Sequence, residues 1–585
     1  METTTSNDFF KSNVLGHPAG LFVLFFTEMW ERFSFYGMRV LLINFLTMAI
    51  VSDNPGWGWS AENAGALYGT YAMLLYITPI FGGILADRYI GYRWAVVIGS
   101  IIMTLGHASM AIETEFSLYF GLGLLVLGTG FFKPNMTSIL SEMYKDHPEK
   151  KDGAYTIFYM GVNAGAFFGM MLCGYLAESV GWAWGFGLAG VFMLFGTLQF
   201  WLAKPLFGRI GEVPSKADRI AAEEAAKTSS KDEDKRNPFT MVDKILIVIT
   251  TIVGLLYAFN DPLSKIGNIN MFPFKVNGID GQNVVVLGAL ILFLILVVSR
   301  IARYTKVVRD RMIAVIVFAF FTVFFWMSFE QGASSLVLFA RDSVDRSLEG
   351  SSLTIFNIVN TLLTIVPLVI ITYVLAMLAK QTWAKIPGAN IVLAVCFLGV
   401  WGVAVWMLYQ YFTAESSEIT VSWFSILNSF FIIAFASSIS KIWDSKYNPS
   451  AAVKYGLGLI VMAIGFGLLA FGSHGLVEGV KVSMVWLVLA YLFHTLGELF
   501  LSPVGLSYVS KLVPGRMIAF MFGMWYLAIA IGNKLAAILG GQIENITKEY
   551  SLSTFFLIFT VVPIAAGLVV MALNPVLKKL MHGVR

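Results

Sequence analysis

The chain has 585 residues, 57% hydrophobic and 13% charged, with mean hydropathy +0.75 and 54 glycines. No soluble core needs that much apolar surface, and glycine is frequent where membrane helices pack closely, so the sequence reads as an all-α polytopic membrane protein. A net charge of +4 is too small for this length to imply a nucleic-acid partner, and two cysteines in apolar stretches, Cys173 and Cys396, exclude a disulfide framework or a CxxC metal site.

The N-terminal stretch METTTSNDFFKSN has no basic region followed by a short apolar run and a cleavage site, so the first span is expected to be retained. Runs long enough to cross about 30 Å of hydrocarbon number about sixteen. They fall near 20–50, 62–86, 92–112, 116–140, 153–178, 182–203, 242–259, 283–303, 312–338, 353–378, 389–411, 421–443, 455–472, 482–507, 517–540 and 553–576. With the N-terminus in the cytoplasm, the basic clusters fall inside: Arg88/Arg93, Lys145/Lys150/Lys151, Lys204 to Lys244, Arg300 to Arg311, Lys380/Lys385, Lys441/Lys446/Lys454, Lys511/Arg516 and Lys578/Lys579. The opposite loops 51–61, 113–115, 179–181 and 412–420 hold no Lys or Arg. Both termini are therefore expected in the cytoplasm.

The first span carries Glu28, Glu31, Arg32 and Arg39 in its middle. Each charge near the centre of an inserted helix costs roughly 3 kcal/mol, so four unpaired ones would cost on the order of 10 kcal/mol. At about 100° per residue, Glu28, Arg32, Phe35 and Arg39 share one stripe, with Glu31 and Tyr36 at its edges. Such a stripe belongs on a polar cavity inside a bundle. The alternative, an interfacial helix end with snorkelling side chains, fits poorly because apolar sequence continues on both sides.

Residues 205–241 break the apolar rhythm with a charged, Ala/Glu/Lys-rich linker. It separates six spans from the rest, the layout of transporters built from two related bundles with a midplane site. Between the second and third spans, Gly82-Gly83-Ile84-Leu85-Ala86-Asp87-Arg88-Tyr89-Ile90-Gly91-Tyr92-Arg93 resembles the loop signature of the major facilitator superfamily. Here a tight turn is expected, with Asp87 capping a neighbouring helix and pairing with Arg88 or Arg93.

Glu28-x-x-Glu31-Arg32-Phe33 followed by Tyr36-Gly37-Met38-Arg39 resembles the ExxERF signature of the proton-dependent oligopeptide transporter (POT/PTR) family. Four further blocks resemble it: Gly128 to Asn135, Phe158 to Ala166, Trp326 with Glu330-Gln331-Gly332, and Gly497 to Leu506. The resemblance implies a major facilitator fold of two six-helix bundles, 20–204 and 311–338 with 421–580, flanked by cytoplasmic segment 1–19. It implies one inserted hairpin over 242–303, as in bacterial members, hence a bacterial inner (plasma) membrane location. A second apolar hairpin, 353–411, lies outside the pattern and is expected to pack peripherally or form a homo-oligomer surface.

The chemistry of these residues suits a zwitterion. Arg39 and Lys133 supply a positive side; Glu498, Asn163 and Asn428 supply a negative and carbonyl side. The resemblance assigns the first pair to a peptide's carboxylate and the other three to its amino group, with Tyr36, Tyr76, Trp326 and Trp525 lining side-chain pockets. For the two tryptophans, ordinary core packing is the competing reading. Burial favours the neutral form of a carboxyl and a nearby cation favours its charged form, which suits Glu28, Glu31 beside Arg32, and Glu330 to proton coupling. The resemblance pairs Arg39 with Glu330, and Lys133 with Glu498, as gating bridges. Departures from the family pattern are Phe35 in place of a second tyrosine, Ser425-Ile426-Leu427-Asn428-Ser429 without the usual proline, and Gly69 where animal members carry a histidine. His494, one turn before Glu498, reads as a packed neutral ring or a tuner of that carboxylate. The expected function is proton-coupled import of di- and tripeptides, with protons as coupling ion and neither cofactor nor metal; the alternative is a carrier of this fold for nitrate, an amino-acid conjugate or another peptide-like solute. No metal-ligand spacing, GxSxG elbow or Walker loop favours an enzyme.

Overall fold

A computed structural model describes residues 13–213, 238–443, 445–477, 479–513 and 518–584. The tail 1–12, linker residues 214–237 and Arg516 lie outside the described residues, as do the side chains of 502–504 and 506 in the block at Gly497 to Leu506.

Sixteen long helices form among the described residues: α1 Ala19–Thr47, α2 Ala61–Leu85, α3 Tyr92–Met110, α4 Glu115–Met143, α5 Lys151–Ser179, α6 Trp182–Leu202, α7 Met241–Lys265, α8 Gly281–Ile301, α9 Lys306–Phe329, α10 Gly350–Thr382, α11 Pro387–Thr413, α12 Val421–Trp443, α13 Ala451–Gly472, α14 Met484–Leu512, α15 Ile518–Gly540 and α16 Leu552–Ala572. Helices are forced because hydrocarbon offers backbone groups no other partner. Fourteen spans are long and apolar enough to cross a membrane among the described residues; the two that fall short are α1, with its four charges, and α3, the shortest at 19 residues. Helix α7 runs on to Lys265, beyond the expected end at residue 259, and its last turns carry an i,i+4 pair of Asp261 and Lys265 at 3.1 Å.

Helix α1 packs on α5 and α6, and α4 on α2 and α3; in the second half α13 packs on α14 and α16, α9 on α15, and α12 on α14. Gly161, Gly165 and Gly169 set α5 so tightly on α1 that a Cβ on Gly165 would lie 2.2 Å from the Met29 carbonyl oxygen. Stripes of small residues at this spacing are how membrane helices gain close contact. The loop at Gly82 to Arg93 makes the expected tight turn, but without an Asp87–Arg93 pair. It forms a π-helical turn over Ala86–Ile90, ending on Gly91 at φ +77°. Arg93 is buried and donates to the Gly208 carbonyl (2.7 Å) and Glu212 (2.9 Å), so its carboxylate partner is Glu212 rather than Asp87.

The halves meet in a seal at one end of the helices. Arg341, in the short helix Ser335–Asp342, donates to Thr47 (2.8 Å) and Asn44 (3.3 Å) at the end of α1. Glu178, at the end of α5, accepts from the Val421 and Ser422 amides at 2.9 and 3.2 Å, the open N–H groups at the start of α12. Gly65 and Gly541 bring α2 against the end of α15.

The α10–α11 hairpin packs on α1 and α6, with Phe397 edge-on to Trp30 at 5.3 Å. It also reaches the second half, where Trp423 Nε1 donates to Asn360 Oδ1 at 3.1 Å. Its outer face, including Ile355, Leu362 and Tyr373, is exposed. Removing residues 350–413 and rejoining the chain is expected to lower the melting temperature by several degrees, since Trp30 and Trp423 lose apolar cover. Ligand affinity is expected to stay within a few-fold, since a tenfold loss would mean about 1.4 kcal/mol of missing contacts. Thermal melts and binding isotherms of the shortened chain check both.

Candidate functional site

Beneath the seal, midway along the helices, a cavity of about 160 Å³ lies between the halves. At roughly 10–15 Å³ per water, that holds about ten waters or part of a short peptide backbone. Its walls have opposite charge. Arg32, Arg39 and Lys133 project from α1 and α4; Glu330 and Glu498 project from beyond α9 and from α14.

The positive wall is built from α1 outward. Arg32 chelates Glu31, with Nη2 2.7 Å from Oε1 and Nε bonded to Oε2, while Glu28 stands 3.5 Å away one turn earlier. Glu28 and Glu31 sit behind Arg32 and do not line the cavity themselves. Arg32 lies over the Phe35 ring at 4.8 Å and Arg39 over the Tyr36 ring at 5.5 Å, so two aromatic faces hold the guanidinium groups apart. Lys133 lies over the Tyr76 ring at 4.9 Å.

Arg39 and Glu330 form a direct, partly buried ion pair, joining α1 of one half to the second half. Glu330 is placed by a break in its helix: α9 ends at Phe329 and a 3₁₀ turn carries Glu330–Ala333 before helix resumes at Ser335. On the opposite wall, Asn428 donates to Glu498 Oε2 (3.1 Å) and to Thr495 (3.0 Å), orienting the carboxylate. Asn163 is braced by a bond from Nδ2 to the Tyr159 carbonyl at 3.0 Å.

Arg32, Tyr36, Arg39, Tyr76, Lys133, Asn163, Trp326, Glu330, Asn428 and Glu498 therefore converge on one cavity. Two expectations need correction. Trp525 is outside the lining; it is buried in the second half against Tyr455 (6.4 Å) and Gly505, where a Cβ would lie 2.5 Å from its ring. It is a core aromatic. Lys133 and Glu498 line the cavity but make no ion pair, because Glu498 is engaged by Asn428 and Lys133 by Tyr76. His494 stacks on Phe466 at 4.3 Å, a packed ring.

The lining residues that sequence reasoning missed follow helical spacing from those it found. Tyr491 precedes Glu498 by seven positions, Ser425 and Ile432 flank Asn428, and Tyr159 and Met170 flank Asn163. Extending each named residue along its stripe would have found them. Among the described residues, no group of three or more His, Cys, Asp or Glu side chains could hold a metal ion.

Comparison with known proteins agrees with this geometry. The POT family model matches residues 93–396 and 404–558. The peptide transporter YePEPT of Yersinia enterocolitica subsp. palearctica is 29% identical over 97% of this chain and 96% of its own length. A di-/tripeptide transporter of Lactococcus lactis subsp. cremoris is 28% identical over 97% and 98%. The crystal structure of peptide transporter POT in complex with sulfate superposes with TM-score 0.70 at 27% identity, covering 99% of this chain and all of the other. The fold is that of the major facilitator type, in a multi-pass membrane protein.

Proposed function

The chain belongs to the POT family, and from that premise we propose that it is a proton-coupled symporter that imports di- and tripeptides by alternating access. The observation that carries this reading is the split of charge across one cavity: three cations on the first half, two carboxylates on the second. A zwitterion spans such walls end to end, its carboxylate toward Arg39 and Lys133, its ammonium toward Glu498, Asn428 and Asn163. Side chains of the peptide then meet Tyr36, Tyr76 and Trp326, which ask only for apolar or aromatic surface. The named relatives from Yersinia and Lactococcus transport peptides, which supports the same substrate class here.

The coupling element is the Arg39–Glu330 pair. Closing a buried ion pair between two halves favours one arrangement of them; a proton on Glu330, or a peptide carboxylate on Arg39, relaxes it. Both ligands thus bias one two-state element, which coupling requires. Glu28 and Glu31, with Arg32 of the cavity wall in front of them, form a second proton-responsive cluster. With both termini in the cytoplasm of a bacterial inner membrane, the sealed end is the outside, and the cavity is held closed to it.

The test is uptake by the purified protein in liposomes with an imposed proton gradient. Accumulation of di- and tripeptides that collapses when the gradient is dissipated is expected, and gradient-independent uptake would remove the symport reading. N-acetylating a dipeptide deletes the ammonium that Glu498 faces, so its apparent affinity is expected to fall about tenfold or more, the cost of leaving a buried carboxylate without its charged partner. Nitrate accumulating in preference to peptides would favour the carrier alternative.

A further inference from the structure

One ionic cluster lies away from the cavity. Lys534 on α15 is buried, with 4% of its side chain exposed, and its ammonium meets Asp261 Oδ2 on α7 at 2.5 Å. It also donates to Thr70 Oγ1 (3.1 Å) and the Ala66 carbonyl (3.4 Å), both on α2. Neither Lys534 nor Asp261 lines the cavity.

The pair joins three parts of the chain. Helix α15 belongs to the second half and α2 to the first, while α7 is half of the hairpin inserted between them. Helix α7 is fixed to α2 by Thr70, whose hydroxyl donates to the Ala258 carbonyl at 2.7 Å. Gly69 makes the crossing possible: a Cβ there would lie 2.6 Å from Ala537 Cβ and 3.2 Å from Lys534 Cδ. The lysine stem thus passes over bare backbone to reach the hairpin. From Asp261 the charges alternate outward: Lys265 at 3.1 Å from Asp261, then Glu62 at 3.3 Å from Lys265. Side-chain exposure rises along the same path, from 4% at Lys534 and 6% at Asp261 to 23% at Lys265 and 38% at Glu62. No other charged group is placed on Asp261 from α2, α8 or α15 among the described residues.

We propose that the Asp261–Lys534 pair is a latch that holds the α2 and α15 ends together, so that the inserted hairpin works as part of the gate rather than as a passive insert. The proposal rests on the alternating-access reading. Opening the sealed end moves α15 away from α2, and Lys534 must then leave Thr70, Ala66 and Asp261 at once. A buried ion pair strongly penalises removal of one partner, whereas replacing both by neutral groups of similar size is often tolerated. The latch is therefore tested with the double variant Asp261→Asn/Lys534→Met, which leaves no lone buried charge.

Spin labels at Val51→Cys and Tyr550→Cys, exposed at 93% and 68% on the sealed side of the first and second halves, report the separation of the two ends. Native Cys173 and Cys396 are buried. In liposomes the double variant is expected to raise the population with the longer label distance about threefold or more over the latched parent carrying the same labels. Its peptide affinity should stay within a few-fold. A double variant that melts like the parent and keeps its distance distribution overturns the latch. Charge exchange, Asp261→Lys/Lys534→Asp, should return part of the closed population, and no return would count against a pairwise role. Uptake by the labelled parent is measured alongside: absent peptide accumulation there overturns the transport reading while leaving the distance result to decide the latch.

Discussion

Glu330→Gln is expected to abolish proton-driven accumulation of peptide while leaving peptide exchange across the membrane within a few-fold of the parent. Gln keeps the shape and one hydrogen bond to Arg39 but cannot carry the charge that makes the bridge between halves. It mimics the protonated carboxyl permanently, so the halves no longer sense the gradient. Glu330 is buried and Arg39 partly so, with side-chain exposure of 5% and 16%, so the charge is poorly replaced by solvent. Losing one partner of such a pair costs about 3–5 kcal/mol, enough to change a two-state ratio by about a hundredfold or more. Counterflow of labelled peptide against a gradient-driven assay on the same vesicles separates the two outcomes. Equal loss of both would assign Glu330 to peptide binding or folding instead. The exchange Arg39→Glu/Glu330→Arg should recover part of the coupling if the bridge is what matters, and none if each residue acts alone.

The positions of the sixteen helices were legible because hydrocarbon imposes one local rule, a long apolar run, that tertiary packing does not override. The cavity was legible for a related reason. Lys133 and Glu498 each stand alone in the middle of an apolar span, Arg39 shares α1 with three other charges, and charges at that depth have to face a polar interior. Aromatic residues carry no such signal. Trp326 and Trp525 look alike in sequence, yet Trp326 lines the cavity and Trp525 packs between Tyr455 and Gly505. Pairing was harder than placement. Lys133 and Glu498 face the same cavity without meeting, since which partners touch depends on the arrangement of the halves. Asp261 and Lys534 escaped sequence reading altogether. Each sits near the end of an apolar run where a charge looks interfacial, and their contact spans 273 positions.

The cluster behind the positive wall yields an ordering rather than a single effect. Glu31→Gln is expected to reduce gradient-driven uptake by about tenfold or more, and Glu28→Gln by distinctly less. Glu31 holds Arg32 by two hydrogen bonds, whereas Glu28 approaches only to 3.5 Å. Bidentate carboxylate–guanidinium pairing is both stronger and more directional than a single longer contact. With Glu31 neutral, Arg32 presents more of its positive charge to the cavity, so peptide carboxylates should bind as well or better while transport slows. Initial rates across a pH series, with apparent affinity determined at each pH, distinguish this from simple damage: KM should hold or fall as the maximal rate drops and its pH dependence flattens. Arg32→Lys should not substitute for the guanidinium, because an ammonium cannot span both Glu31 oxygens and lie flat over Phe35. A Glu28→Gln effect equal to that of Glu31→Gln would show that the two carboxylates act as one unit, and that the geometry of the Arg32 fork does not set which of them matters.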